Sequence, residues 1–133
     1  MIYKLILNFK SKDSKKIKNP KNFDAKTAAI LGFSIFGKNI DVFGGEYGNA
    51  VLSRYPIIYS ENRKLPKVGN SEQRGLLAVW IQLKDKDDLT VFISTHFDHR
   101  EKNTERLKSV EKIKFWIDRG DFGSDLIFAG DLN

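Results

Sequence analysis

Ser94-Thr95-His96-Phe97-Asp98-His99 and, further along, Gly130-Asp131-Leu132-Asn133 are the two stretches on which the reading of the fold turns. Each follows an apolar run, residues 91–93 in the first case and 126–129 in the second. Short apolar runs rich in β-branched and aromatic residues read as buried strands. In both stretches, then, a strand hands over to groups that donate, accept or carry protons. Period 2 along an extended chain sets Asp131 and Asn133 on one side. A carboxylate and an amide placed so can hold a water and steady a developing anion, and an imidazole nearby can hydrogen-bond a phosphate oxygen. A Thr-His pair at a strand end also has an ordinary reading, as polar groups that finish the strand.

Outward from these stretches the pattern is mainly β. Residues 90–95 pair with residues 74–83 as an antiparallel hairpin, with the charged run at 85–88 as its turn. Residues 57–65 alternate loosely and suit an edge strand, and residues 47–53 read as a buried one. Residues 33–36 and 40–43 read as two short strands around a turn at Gly37-Lys38-Asn39, with Gly44-Gly45-Glu46 as a break. Between the two polar stretches the spacing predicts a helix over 104–119. Thr104 is its expected N-cap, Gly120 its stop, and Leu107, Val110, Ile113 and Ile117 its apolar stripe, with Trp116 beside it. A short helix is expected over 24–31, capped by Asp24.

Composition narrows the class. The 133 residues are 41% hydrophobic and 30% charged, which fits a globular chain and not a disordered, collagen-like or coiled-coil one. Zero Cys removes disulfides, thiolate zinc sites and cysteine nucleophiles together. It does not set a compartment: cytoplasmic is the default, and export of a longer protein stays open. No apolar run approaches the roughly 18 residues of a membrane span, and a signal peptide is not expected at the start. The net charge of +6 is local. Residues 1–26 hold eight Lys against two Asp, and the rest of the chain balances to zero. Residues 1–23 read as a Lys-rich, poorly ordered leader. A Lys run also attracts phosphate-rich partners by counterion release, but the neutral body makes a nucleic-acid-binding module the weakest of the functional readings.

Four motifs in order carry a resemblance: Glu46-Tyr47-Gly48-Asn49-Ala50-Val51-Leu52-Ser53-Arg54-Tyr55-Pro56-Ile57, Glu72-Gln73-Arg74-Gly75-Leu76-Leu77, Ser94 to His99, and Gly130 to Asn133. Together they resemble the endonuclease/exonuclease/phosphatase superfamily, the deoxyribonuclease I-like fold. The resemblance spans roughly residues 24–133, the central part of such a domain. It implies an α/β (α+β) class, part of a four-layer α/β sandwich, with mostly antiparallel sheet and one main helix. It also implies a metal-dependent phosphoesterase, cleaving phosphodiesters or phosphomonoesters with Mg2+ or Mn2+. The phosphoester substrate, whether nucleic acid, phospholipid or sugar phosphate, is left undetermined.

Carried over residue by residue, the resemblance makes His96 the histidine that hydrogen-bonds the scissile phosphate. Asp131 becomes the carboxylate that orients or deprotonates the attacking water, and Asn133 the amide that steadies the transition state. Arg74 is a candidate phosphate contact, with a surface ion pair as the alternative. Asn49 either lines the cleft and orients His96 or bonds its own turn. Asp98 and His99 either organise the loop after His96 or touch substrate. The resemblance departs at both ends. The upstream Asn and Glu that bind the metal in such proteins have no counterpart before residue 24, and no Ser-Asp-His motif follows Asn133. Asp131 is therefore the one metal ligand carried over, and a weak one. The expectation is a truncated piece of a phosphoesterase. The alternative is a non-catalytic remnant or interaction fragment of that fold. An incomplete sheet further predicts self-association through open edges, with an uncovered apolar face at Val51, Leu52, Val79, Ile81 and Val91.

Overall fold

The computed structural model describes residues 2–5, 33–84 and 87–133. The expected helix over 24–31, most of the expected leader and the centre of the turn at 85–86 lie outside them. Among the described residues seven strands and one helix run in the order β1 (Ile2–Leu5), β2 (Phe33–Val42), β3 (Gly45–Ser53), β4 (Ile57–Lys64), β5 (Gly75–Ile81), β6 (Thr90–His96), α1 (Thr104–Asp118) and β7 (Leu126–Asp131). They form two sheets, β1-β3-β2 and β4-β5-β6-β7. Every pairing is antiparallel except β6 with β7, which is parallel with α1 as its crossover.

Strand β5 shows why the sheets stack. Its residues alternate between two apolar clusters, as period 2 requires. Leu76, Ala78 and Trp80 face one cluster with Val91, Ile93, Ile113 and Trp116, so α1 covers that side. Leu77, Val79 and Ile81 face the other, with Val51, Phe92 and Ile35, so the second sheet covers that side. A strand buried on both faces reads as a continuous apolar run, and Leu76, Leu77, Val79 and Ile81 are each at most 1% exposed. Fully burying a side chain of this size is worth roughly 1.5–3 kcal/mol. The described residues thus supply three layers, helix on sheet on sheet. This is part of an α/β sandwich.

Several expectations are corrected. The predicted turn at Gly37-Lys38-Asn39 is a bulge inside the single long strand β2, where the register with β3 shifts between Lys38 and Ile40. The true hairpin turn is Phe43-Gly44, both at positive φ (48° and 79°), between the paired Val42 and Gly45. The bulge turns Asn39 inward, to 7% exposure, where Gly75 receives it. A Cβ on Gly75 would lie 2.0 Å from the Asn39 Oδ1. The expected uncovered face is covered: Val51, Leu52, Val79, Ile81 and Val91 are all at most 2% exposed, with Val51, Val79 and Ile81 packed between the two sheets and Val91 on the side that α1 covers.

Helix α1 ends as expected, with Arg119 as its C-cap and Gly120 at φ 80°. Its facing differs. Glu105, Ser109, Ile113 and Trp116 are buried, whereas Leu107, Val110 and Ile117 of the expected stripe are exposed. Asn103, not Thr104, holds the N-cap position and makes no capping bond. Among the described residues no helix is long and apolar enough to cross a membrane.

Candidate active site

The parallel pairing of β6 and β7 brings the two polar stretches together. His96 is the register partner of Asp131, and the Phe97 N–H donates to the Asp131 carbonyl at 2.9 Å. Two parallel strands present their C-terminal tips at one edge, so both motifs must open on the same side. The His96 Nε2 lies 3.8 Å from the Asp131 Oδ2. Asn133 sits just past the strand, but not as an extended chain would put it. Its φ of 54° turns it back, its N–H donates to the Asp131 Oδ1 at 3.1 Å, and its Nδ2 donates to the Phe97 carbonyl at 2.9 Å. An Asn tolerates this left-handed conformation better than most residues. The structure therefore brings His96, Asp131 and Asn133 to one tip, with Asn133 bracing the link between the strands.

Behind His96 lies a cleft of about 230 Å³, lined by Ile40, Val42, Tyr47, Glu72, Arg74, His96 and His99. Arg74 is not a surface residue. Its side chain is 3% exposed, although its ion-pair partner Glu72 is 52% exposed. The Arg74 Nη1 donates to the Tyr47 hydroxyl at 3.3 Å, and its Nη2 meets the His99 Nδ1 at 3.1 Å. Tyr47 in turn is 2.8 Å from the His96 Nδ1. The residue expected to orient His96, Asn49, is 2% exposed, and its Nδ2 donates to the Gly75 carbonyl at 2.9 Å. Through that bond Asn49 joins the two sheets. Sequence reasoning missed Tyr47 and Glu72, although both stand within the motifs quoted for the resemblance. Only their meeting with Arg74 distinguishes them.

Asp98 and His99 separate. His99 reaches the cleft, whereas Asp98 turns inward and accepts from the Arg100 Nε at 2.8 Å. The other side of that guanidinium donates to the buried Glu105, which also accepts from the Val68 N–H. Burial pushes the Asp98 carboxyl up, but the Arg100 hydrogen bond and the charges of Arg100 and Arg74 outweigh it and hold the group below its ordinary 3.8.

No family model matches the chain. An uncharacterized protein of Escherichia coli strain K12, YbhP, is 33% identical over 98 residues, which are 74% of this chain and 38% of that protein. The chain thus spans well under half the length of the curated relatives it matches. Among solved structures, sphingomyelinase C from Streptomyces griseocarneus superposes with a TM-score of 0.64 at 20% identity, covering 85% of this chain and 47% of that one. An endonuclease/exonuclease/phosphatase family protein from Bacteroides thetaiotaomicron superposes with a TM-score of 0.60 at 20% identity, covering 76% and 40%. The chain carries part of the fold of these endonuclease/exonuclease/phosphatase-type proteins.

Proposed function

We propose that the chain carries the central part of the active centre of a metal-dependent phosphoesterase, cleaving phosphodiesters or phosphomonoesters. The observation that supports this most is the pairing of His96 and Asp131 at one parallel strand tip, beside a cleft with a buried Arg. In this reading the His96 Nε2 donates to a non-bridging phosphoryl oxygen. Asp131 orients the attacking water and takes its proton, a role for a half-exposed carboxylate with room for a water beside it. Asn133 spends one amide hydrogen on the Phe97 carbonyl, and its second is the donor for the developing oxyanion.

Mg2+ or Mn2+ would supply charge neutralisation at the phosphoryl oxygens. Mg2+ wants near-octahedral oxygen coordination. Among the described residues no group of three or more His, Asp or Glu is placed to hold a metal, and Asp131 is the carboxylate at this tip. The described donors alone do not fit the ion, so further oxygen donors have to come from elsewhere. The same observation favours a second reading, a non-catalytic remnant or interaction fragment of the fold. The fold neighbours support a phosphoester as substrate class, a group that nucleic acids, phospholipids and sugar phosphates share.

The test is hydrolysis of bis-p-nitrophenyl phosphate and p-nitrophenyl phosphate with Mg2+ or Mn2+. Turnover that falls on the order of 10²-fold or more in His96→Ala and in Asp131→Ala is the outcome expected of the enzyme. Turnover that survives both substitutions overturns the residue assignment. A cooperatively folded chain with no turnover supports the non-catalytic reading.

A further inference from the structure

We infer that Arg74 is a positioning residue that sets the tautomer of both imidazoles in the chain, His99 directly and His96 through Tyr47. A guanidinium has five N–H donors and no acceptor. At 3.1 Å from the Arg74 Nη2, the His99 Nδ1 therefore has to be the accepting nitrogen, and the ring hydrogen sits on Nε2. The second relay has one more step. The Tyr47 oxygen accepts from the Arg74 Nη1 at 3.3 Å, which turns the phenolic hydrogen toward the His96 Nδ1 at 2.8 Å. That nitrogen also accepts, and His96 carries its hydrogen on Nε2, the atom facing Asp131.

Burial gives the relay its force. Arg74 is 3% exposed, so water does not compete for its donors, and the guanidinium lies over the Tyr47 ring at 5.9 Å from the centroid. Glu72, 3.2 Å from Nη2, fixes the third direction of the fork. Two imidazoles on the wall of one cleft, each held with Nε2–H, make a matched pair of hydrogen-bond donors. This is the state a phosphoryl oxygen or another anion requires. Both assignments rest on donors and acceptors and do not depend on the phosphoesterase reading. Only their use does.

The chain has two His, so long-range 1H–15N spectra of the imidazoles assign each ring without ambiguity. They are recorded at about pH 8.5, above the ordinary imidazole range. Both rings should show a single Nε2–H tautomer with an accepting Nδ1. Tyr47→Phe should return His96 to a mixed population and leave His99 unchanged. Arg74→Lys, which keeps the charge but not the fork, should move both rings. An Nδ1–H tautomer on either ring overturns the inference, as does a His96 spectrum that Tyr47→Phe leaves untouched. If Arg74→Lys does not fold, the native chain and Tyr47→Phe still decide. Turnover plays no part in these readouts, so a failure here is separate from a failure of the proposed activity.

Discussion

The two strand tips that meet at the site are built differently. At the end of β6 both imidazoles are braced from a distance, His96 by Tyr47 on β3 and His99 by Arg74 ahead of β5, while the buried Asp98 is held by its near neighbour Arg100, which also reaches Glu105 in α1. Phe97 between them is 4% exposed. At the end of β7 the bracing is thinner and more exposed to water. The Asp131 side chain is 45% exposed, Leu132 is 50% exposed, and two bonds of Asn133 hold the turn. Groups held by long-range, buried partners keep their geometry at a cost in stability when one partner is removed. Groups held locally in water are replaceable without much loss to the fold.

The largest expected effect is at the braced tip. Arg74→Ala leaves Glu72, Tyr47 and His99 without their common donor and opens a void in a buried position. It should cost about 2–3 kcal/mol, discounted because Glu72 can turn to water. Urea denaturation measures it, and a loss below about 1 kcal/mol would mean that the cleft does not depend on Arg74.

A smaller effect is confined to acid. The Asp98 carboxyl is held below its ordinary value in the folded chain, so its contribution is present above about pH 4. It is lost as the pH falls through the lower folded value. Asp98→Asn should cost about 1 kcal/mol near neutrality and flatten the acid limb of the stability profile. Denaturation midpoints between about pH 2 and 7 check this. An unchanged acid limb would show that Asp98 is not what ties the loop down.

The smallest effect belongs to the β7 tip. Asp131→Ala and Asn133→Ala should each change stability by less than about 0.5 kcal/mol, because the half-exposed Asp131 and the exposed Asn133 can exchange their contacts for water. A loss comparable to that of Arg74→Ala in the same denaturation series would remove the contrast between the tips.

Much of the fold was legible in the residues themselves. The hairpin of β5 and β6, the edge strand β4 and the stop of α1 at Gly120 follow from local patterning. Apolar runs and turn residues carry that information within a few positions. The co-location of His96 with Asp131 and Asn133 was legible too, through motifs whose order resembles a known fold. What failed were features with two locally acceptable answers. Gly37-Lys38-Asn39 has the residues of a turn and forms a bulge, because Gly48 lets β3 lie flat against it. A Cβ on Gly48 would stand 2.0 Å from the Gly37 carbonyl oxygen, a contact eleven residues away in sequence. Helix α1 is apolar on more than one side. Its rotation follows from Glu105, whose carboxylate is drawn inward to the Val68 N–H and Arg100, carrying Ile113 and Trp116 into the core and Leu107 out of it.

The sequence by itself therefore determined which segments extend, where the helix stops and which residue types reach the strand tips. These depend on backbone propensity and on periodicity over a few residues. The tertiary structure alone decided that Arg74 is buried, that Tyr47 stands between it and His96, and that Asn49 joins the two sheets. Each of those outcomes rests on hydrogen bonds between groups 25 or more residues apart. Which partner a polar side chain finds is settled by how two sheets stack, and no local pattern encodes that distance.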